Sequence, residues 1–354
     1  MENKQAAPPV YTPISGKALI DLNIDELPML FSGLIPLTGI WALVGASDTC
    51  KSMILRQLAM SVVKGTDFIG WKFKGKHKRV IVVCSEDDEY AISFLLKKQN
   101  RRMELSNEEL DHMSFIFETA ELTKILEDML QKHPVDLIII DAFGDVFTGR
   151  DMNQNSLVRT FLNEYSHLSN KYKCSIAFLH HTGKRTEELA PSKNNSIGSQ
   201  GFEAKMRLMA ELRMDKNKSD IRHFCIVKGN YLPSDMKTAS YVLKMDEHLT
   251  FINTGERIDF CSLTSNTTAT SQLKRPSQIG DITHTHFLRE TFSPISSTFS
   301  GRKLNQLVQD RFELSDKPAR RFIAYYVDQG WIKDISGNSK SFEYELVLKQ
   351  GKLT

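Results

Sequence analysis

Short, largely apolar runs alternate with helix-period segments over most of the chain. Residues 40–44, 80–83, 137–140 and 174–179 are such runs, the pattern of strands buried on both faces. Between them, Ile54, Leu55, Leu58, Ala59 and Val62 recur at helical spacing, as do Leu122, Ile125, Leu126 and Met129, and then Val158, Phe161, Leu162, Tyr165 and Leu168. The alternation predicts an α/β domain, a mainly parallel sheet with helices on both faces. Further segments at 206–214, 221–228, 239–245 and 249–253 have only turns between them and predict antiparallel additions to the sheet. Residues 15–253 are read as one domain, entered through a lead-in element within 20–34. The polar, proline-bearing tail 1–14 before it is expected to be flexible.

The pattern then changes. Residues 254–280 are rich in Ser, Thr and Asn and predict a linker to a small module at 281–350. Helices are expected at 286–292 and 302–312, and a third is capped by Ser315 and ended by Gly330. Its apolar face is Ala319, Phe322, Ile323, Tyr326 and Val327, which leaves Lys317, Arg320 and Arg321 pointing outward. A hairpin, 331–335 with 342–347, completes what resembles a winged helix, with Lys340 on the wing tip. Such modules often bind duplex DNA, and they also serve as protein-interaction domains. Acidic residues nearly balance basic ones here, so composition does not choose between the two.

Composition narrows the picture only slightly. The chain has 354 residues, 41% hydrophobic and 25% charged, with a formal charge of +3. These are ordinary globular values, and the charge alone implies no nucleic-acid partner. Its five cysteines are scattered without metal-ligand spacing, so neither zinc nor a disulfide framework is expected. No signal-like or membrane-spanning segment is evident, so a cytoplasmic protein with no membrane role is expected.

Chemistry concentrates where apolar runs end. Gly45, Ala46, Ser47, Asp48, Thr49, Cys50, Lys51 and Ser52 join a strand to a helix and approximate the phosphate-binding pattern GxxxxGK[ST]. In such a loop backbone N–H groups surround phosphates, Lys51 neutralises the β and γ oxygens, and Ser52 holds magnesium. Cys50 stands where the pattern has its second glycine. A positive φ there costs a non-glycine residue roughly 1–2 kcal/mol, and its side chain can crowd the pyrophosphate. The run 80–83 leads into Cys84, Ser85, Glu86, Asp87 and Asp88. Glu86 is the candidate base for an attacking water, while a helix-capping role for the acid cluster is the alternative. Asp141 ends the run 137–140 and is a candidate magnesium partner, or else a helix cap. His180 or His181 ends the next run and could contact a γ-phosphate. Residues 182–200, with Lys184, Arg185 and Lys193, lack periodicity and predict a mobile loop whose cations could grip a phosphate backbone. Lys228 closes a later strand, where a neighbouring subunit's nucleotide could be met, with Arg207 and Arg213 as further candidates.

With these motifs assembled, the chain from about Gly33 to Asn253 resembles the RecA/DnaB superfamily of ATPases, most closely the plasmid RepA-type hexameric helicases. GASDTCKS, the strand ending SEDD, VDLIIIDAFGD and AFLHHTGK carry the resemblance. It implies ATP and magnesium as cofactors, with Lys51 and Ser52 on phosphate and metal, Glu86 as base, Asp141 as the acid at the metal, and His181 as γ-phosphate sensor. Lys228, and Arg207 less directly, would act across a subunit interface. It also implies a homo-oligomeric ring, a hexamer by this resemblance, with single-stranded DNA in its channel. The expected activity is a DNA-stimulated helicase or remodelling motor for plasmid or mobile-element DNA, with replication or transposition proteins as possible partners. Cys50 departs from the family loop. The alternative is an ATP-binding scaffold or regulator on DNA that hydrolyses weakly or not at all.

Overall fold

A computed structural model describes residues 13–149, 151–183, 186–198, 200–264, 276–278, 281–292, 298–312, 314–336 and 342–347. Two compact units divide it, 1–264 and 265–354. Unit one begins with α1 (Gly16–Ile20), which buries none of its residues, and a small ladder of β1 (Met29–Phe31) with β2 (Ile35–Pro36). Ile14, Leu19, Ile20, Leu22 and Ile24 form an exposed apolar arm.

The strand-helix alternation then runs as the pattern predicts. It comprises β3 (Gly39–Gly45), α2 (Lys51–Lys64), β4 (Val80–Cys84), α3 (Glu89–Met103), α4 (Asn107–Leu110), β5 (Met113–Ile116), α5 (Leu122–Lys132), β6 (Leu137–Asp141), α6 (Phe143–Val146), α7 (Asn155–Tyr172), β7 (Ser175–His181) and α8 (Gln200–Lys205). Then β8 (Leu208–Met214), β9 (Ile221–Gly229), β10 (Ala239–Met245) and β11 (Phe251–Asp259) follow one another closely. They build a nine-stranded sheet of order β11-β10-β9-β8-β3-β7-β6-β4-β5.

Alternate residues of the central strands enter two separate cores. Trp41, Leu43, Val82, Leu137 and Ile139 face one, whereas Ile40, Ala42, Val44, Ile138 and Ile140 face the other. Both faces are covered, which is why these strands read as continuous apolar runs. α2 is more central than its apolar stripe predicts, since Arg56, Gln57 and Ser61 are buried with it. Gln57 satisfies both backbone groups of Phe251 on β11, at 2.9 and 2.6 Å.

The expected additions differ in two respects. β8 joins β3 in parallel, and only β9, β10 and β11 extend the sheet antiparallel. The linker expected from residue 254 begins later: β11 pairs with β10 out to Asp259, and Phe260 and Leu263 pack against Cys225. Polar Thr254, Glu256 and Asp259 hid an edge strand that is wet on most positions. Among the described residues, no helix is long and apolar enough to cross a membrane.

The second unit holds α9 (Asp281–Thr291), β12 (Thr298–Ser300), α10 (Gly301–Phe312), α11 (Asp316–Asp328), β13 (Ile332–Asp334) and β14 (Glu343–Leu346). Its antiparallel sheet has the order β12-β14-β13, so the expected hairpin gains a third strand. Phe287, Leu304, Val308, Phe322 and Tyr326 form its core. His284 sits in it, within 3.0 Å of both Tyr326 Oη and Pro276 O.

Candidate nucleotide-binding site

The parallel strands β3, β7, β6 and β4 all present their C-terminal ends to one side of the sheet, and the candidate residues stand there. Gly45 pairs in register with His181, and Cys84 with Asp141. β3 therefore delivers its chain into the loop 46–50 beside the ends of the strands carrying His181, Asp141 and Glu86. This is the crevice at which open α/β sheets bind ligands.

Loop 45–52 is tightly fitted. A Cβ on Gly45 would lie 2.5 Å from Leu212 O, which leaves no room for a larger residue. Thr49 is buried and its hydroxyl donates to Ala46 O at 2.9 Å. The Lys51 ammonium donates to the same carbonyl at 2.6 Å. Burial lowers the Lys51 pKa, and the carboxylates of Asp141, Glu86 and Asp48 oppose that shift. Cys50 takes φ 69°, ψ 33°, the left-handed conformation that the pattern's glycine would adopt freely.

Asp141 is close enough to act on the charge of Lys51. Burial pushes its carboxyl up to about 6, against a hydrogen bond from Ser52 and the nearby positive charge of Arg56. Its Oδ1 is buried without a hydrogen-bond partner. An acidic oxygen left open beside a serine hydroxyl suits a hard divalent cation, so Ser52 and Asp141 fit magnesium. Glu86 is exposed, and its Oε1 stands 3.7 Å from His181 Nε2. Asp88, not Glu86, caps α3, accepting from Ala91 N at 2.8 Å. The capping alternative thus falls to a neighbouring acid and leaves Glu86 unengaged as a cap.

The two histidines separate by strand alternation. His181 reaches Glu86, whereas His180 points into the core between Phe143 and Phe202. Burial pushes His180 down to about 4, so it is neutral at pH 7. Because Ile197 O can only accept, Nε2 carries the proton in their 2.9 Å contact.

Residues 15–187 match the family model of an AAA domain. Among curated proteins no match is found. The matched span supports a P-loop NTPase, and the strand order above gives the first unit a RecA-like fold. The matched span contains the loop, Glu86, Asp141 and His181 and ends before β8 to β11 and the second unit.

The loop following His181 is not the free segment its composition predicts. Gly183 N donates to Asn195 O at 2.9 Å and Ile197 N to His181 O at 3.0 Å. Against it, Glu211 and Arg213 of β8 form a buried pair at 2.6 Å. Arg213 donates to Leu189 O and Thr186 O, and Glu211 accepts from Ser192 N and the Asn195 amide. Burial holds the Glu211 carboxyl above its usual range despite Arg213. Arg213, considered above as a cation for a neighbouring subunit, is thus an internal anchor. Replacing it with Met should strand a buried carboxylate at a cost of about 3–5 kcal/mol. Glu211→Leu in addition should restore only part of the loss, because Ser192 N and the Asn195 amide then lose their acceptor. Urea unfolding and limited proteolysis at 186–198 would read both effects.

The remaining candidate cations are unequal. Lys228 pairs with Glu203 at 2.9 Å and is only half-buried, and Lys193 pairs with the same carboxylate at 3.2 Å. Arg207 is exposed beside Gly39, at the end of β3 away from the loop. Lys317, Arg320 and Arg321 stand on α11, where Arg320 and Arg321 are exposed and Arg320 pairs with Asp316 at 3.1 Å. Lys184, Arg185 and Lys340 lie outside the described residues. Sequence reasoning missed Arg56 and Arg222, two buried guanidiniums beside the site. A lone arginine in the apolar run of α2 was the available signal for the first.

Proposed function

We propose that this chain is a magnesium-dependent, DNA-stimulated ATPase that assembles as a ring and works as a helicase or DNA-remodelling motor for plasmid or mobile-element DNA. The observation that carries the reading is the contact between Glu86 and His181 across the crevice that holds Lys51 and Asp141. Glu86 is exposed, free of a capping bond and turned toward that histidine. It is therefore suited to take a proton from water attacking the terminal phosphate. Lys51 neutralises the phosphate oxygens, and the loop N–H groups orient them. A magnesium ion bound at Ser52 and Asp141 would add Lewis-acid stabilisation of the charge that develops. His181 joins this chemistry to the pinned loop 186–198, so loss of the terminal phosphate has a route to a segment that could touch DNA. Arg207 and Lys228 are the cations offered to a neighbouring subunit, and the apolar arm at 14–24 supports self-association. The second unit, read as a winged helix, would recruit duplex DNA through Lys317, Arg320 and Arg321.

The test is steady-state ATP hydrolysis with single-stranded DNA, duplex DNA or neither. Turnover raised severalfold by DNA is expected. One observation favours a second reading, an ATP-gated DNA-binding scaffold: the non-glycine Cys50 in a left-handed conformation. Nucleotide binding without turnover under all three conditions would select it.

A further inference from the structure

Cys50 and Arg222 meet behind the phosphate-binding loop. Arg222, near the start of β9, is 3% exposed. Its Nη1 is fixed to the strand's own entry, donating to Ser219 O at 2.7 Å and Ile221 O at 2.9 Å. The other side of the guanidinium faces the loop, where Nε donates to Thr49 O at 3.0 Å and Nη2 to Cys50 Sγ at 3.3 Å. The thiol in turn lies 3.7 Å from Asp48 O, in position to donate to it. Asp48 and Cys50 both have positive φ, 63° and 69°. The cysteine side chain is therefore wired between the two strained points of the loop and a buried cation anchored on a different strand. Among the described residues, Arg222 has no carboxylate within ion-pair distance, so its charge is not cancelled locally.

We propose that Arg222 is a positioning residue for the phosphate-binding loop, and that its contacts with Thr49 O and Cys50 Sγ hold the left-handed turn which glycine would adopt unaided. Glycine permits this conformation because it has no Cβ; here a side chain enforces it. Cys50 is then part of a two-residue replacement for glycine and not a defect in the loop. The guanidinium also adds an uncompensated positive charge behind the point where phosphates would sit. The loop geometry stands on the contacts above, while the consequence for nucleotide rests on the function proposed in the preceding section.

The two residues should be energetically coupled, which a double-mutant cycle measures. Arg222→Ala, Cys50→Gly and their combination would be compared for affinity toward a fluorescent ATP analogue and for urea stability. Arg222→Ala should weaken nucleotide binding about tenfold in the parent and markedly less when Cys50→Gly is already in place. Arg222→Lys keeps the charge but lacks the planar fork whose separate nitrogens reach Thr49 O and Cys50 Sγ, so it should recover only part of the loss. Cys50→Ala leaves Arg222 in place while keeping the strained Cβ and removing the acceptor. It should be less stable than the parent, whereas Cys50→Gly should not. Equal losses for Arg222→Ala in the parent and in the Cys50→Gly background, or a Cys50→Ala protein as stable as the parent, would overturn the proposal. If the parent bound no nucleotide, the function proposed above would fail instead. The stability cycle would still decide the coupling, with zero interaction between positions 50 and 222 counting against it.

Discussion

Replacing Lys51 by alanine is expected to remove nucleotide turnover while leaving the fold intact. Lys51 is the first residue of α2, its ammonium is turned back onto Ala46 O, and three carboxylates act on it. A buried ammonium that meets a polyanion stabilises charge with little reorganisation, and losing one such preorganised group costs about 10²–10³-fold in rate. The stability effect should be small, because burial already penalises the charged form of Lys51. Hydrolysis measured beside far-ultraviolet circular dichroism separates the two. A Lys51→Ala protein that folds normally and still hydrolyses ATP at the parent rate would remove the loop from the chemistry.

How much of this was legible follows from where each residue's partners lie. The strands β3, β4, β6 and β7 are covered on both faces, so their apolar runs announce them. The placement of Lys51, Ser52, Glu86, Asp141 and His181 at one end of the sheet was legible because each closes such a run or opens the helix after it, and strand ends in a parallel sheet converge. β5 was missed because it is a short edge strand with only Met113 buried. The anchoring of loop 186–198 was missed for a different reason. Glu211 accepts from Asn195 at a separation of 16 residues, and Arg213 reaches Thr186 across 27. Charged residues alternating in a strand look like a wet face, yet β8 lies between β3 and β9 in the sheet interior. Arg222 reads as a surface cation opening a strand, and its partner Cys50 lies 172 residues earlier. Sequence patterning reports burial and period, and contacts of this range leave no trace in either.

Asp141→Asn is expected to raise stability in metal-free buffer and to weaken magnesium-dependent turnover. Burial raises this carboxyl from 3.8 to about 6. Because the folded value lies above the unfolded one, the group costs nothing below pH 3.8. The penalty grows as pH rises from 3.8, where the unfolded chain ionises, towards the folded value, and is complete above about 6. Two units correspond to about 3 kcal/mol. Asparagine keeps the shape without the charge, so with a chelator present the unfolding midpoint at pH 8 should rise by several degrees, since each kcal/mol moves it by about 2–4 °C. That gain should shrink as pH falls from about 6 towards 3.8 and vanish below that, where the parent carboxyl is protonated in both states. Magnesium reverses the account, because a cation at Ser52 and Asp141 needs the ionised form that the protein penalises when empty. Turnover at limiting magnesium should therefore fall about 10–100-fold in the variant, the loss typical of groups that orient a metal's ligands. A structural acid would behave in the opposite way, with Asp141→Asn lowering the midpoint at pH 8 and leaving the magnesium dependence untouched. A carboxylate that destabilises its own fold until a cation arrives is explained by what it binds, and the two measurements together decide whether Asp141 is one.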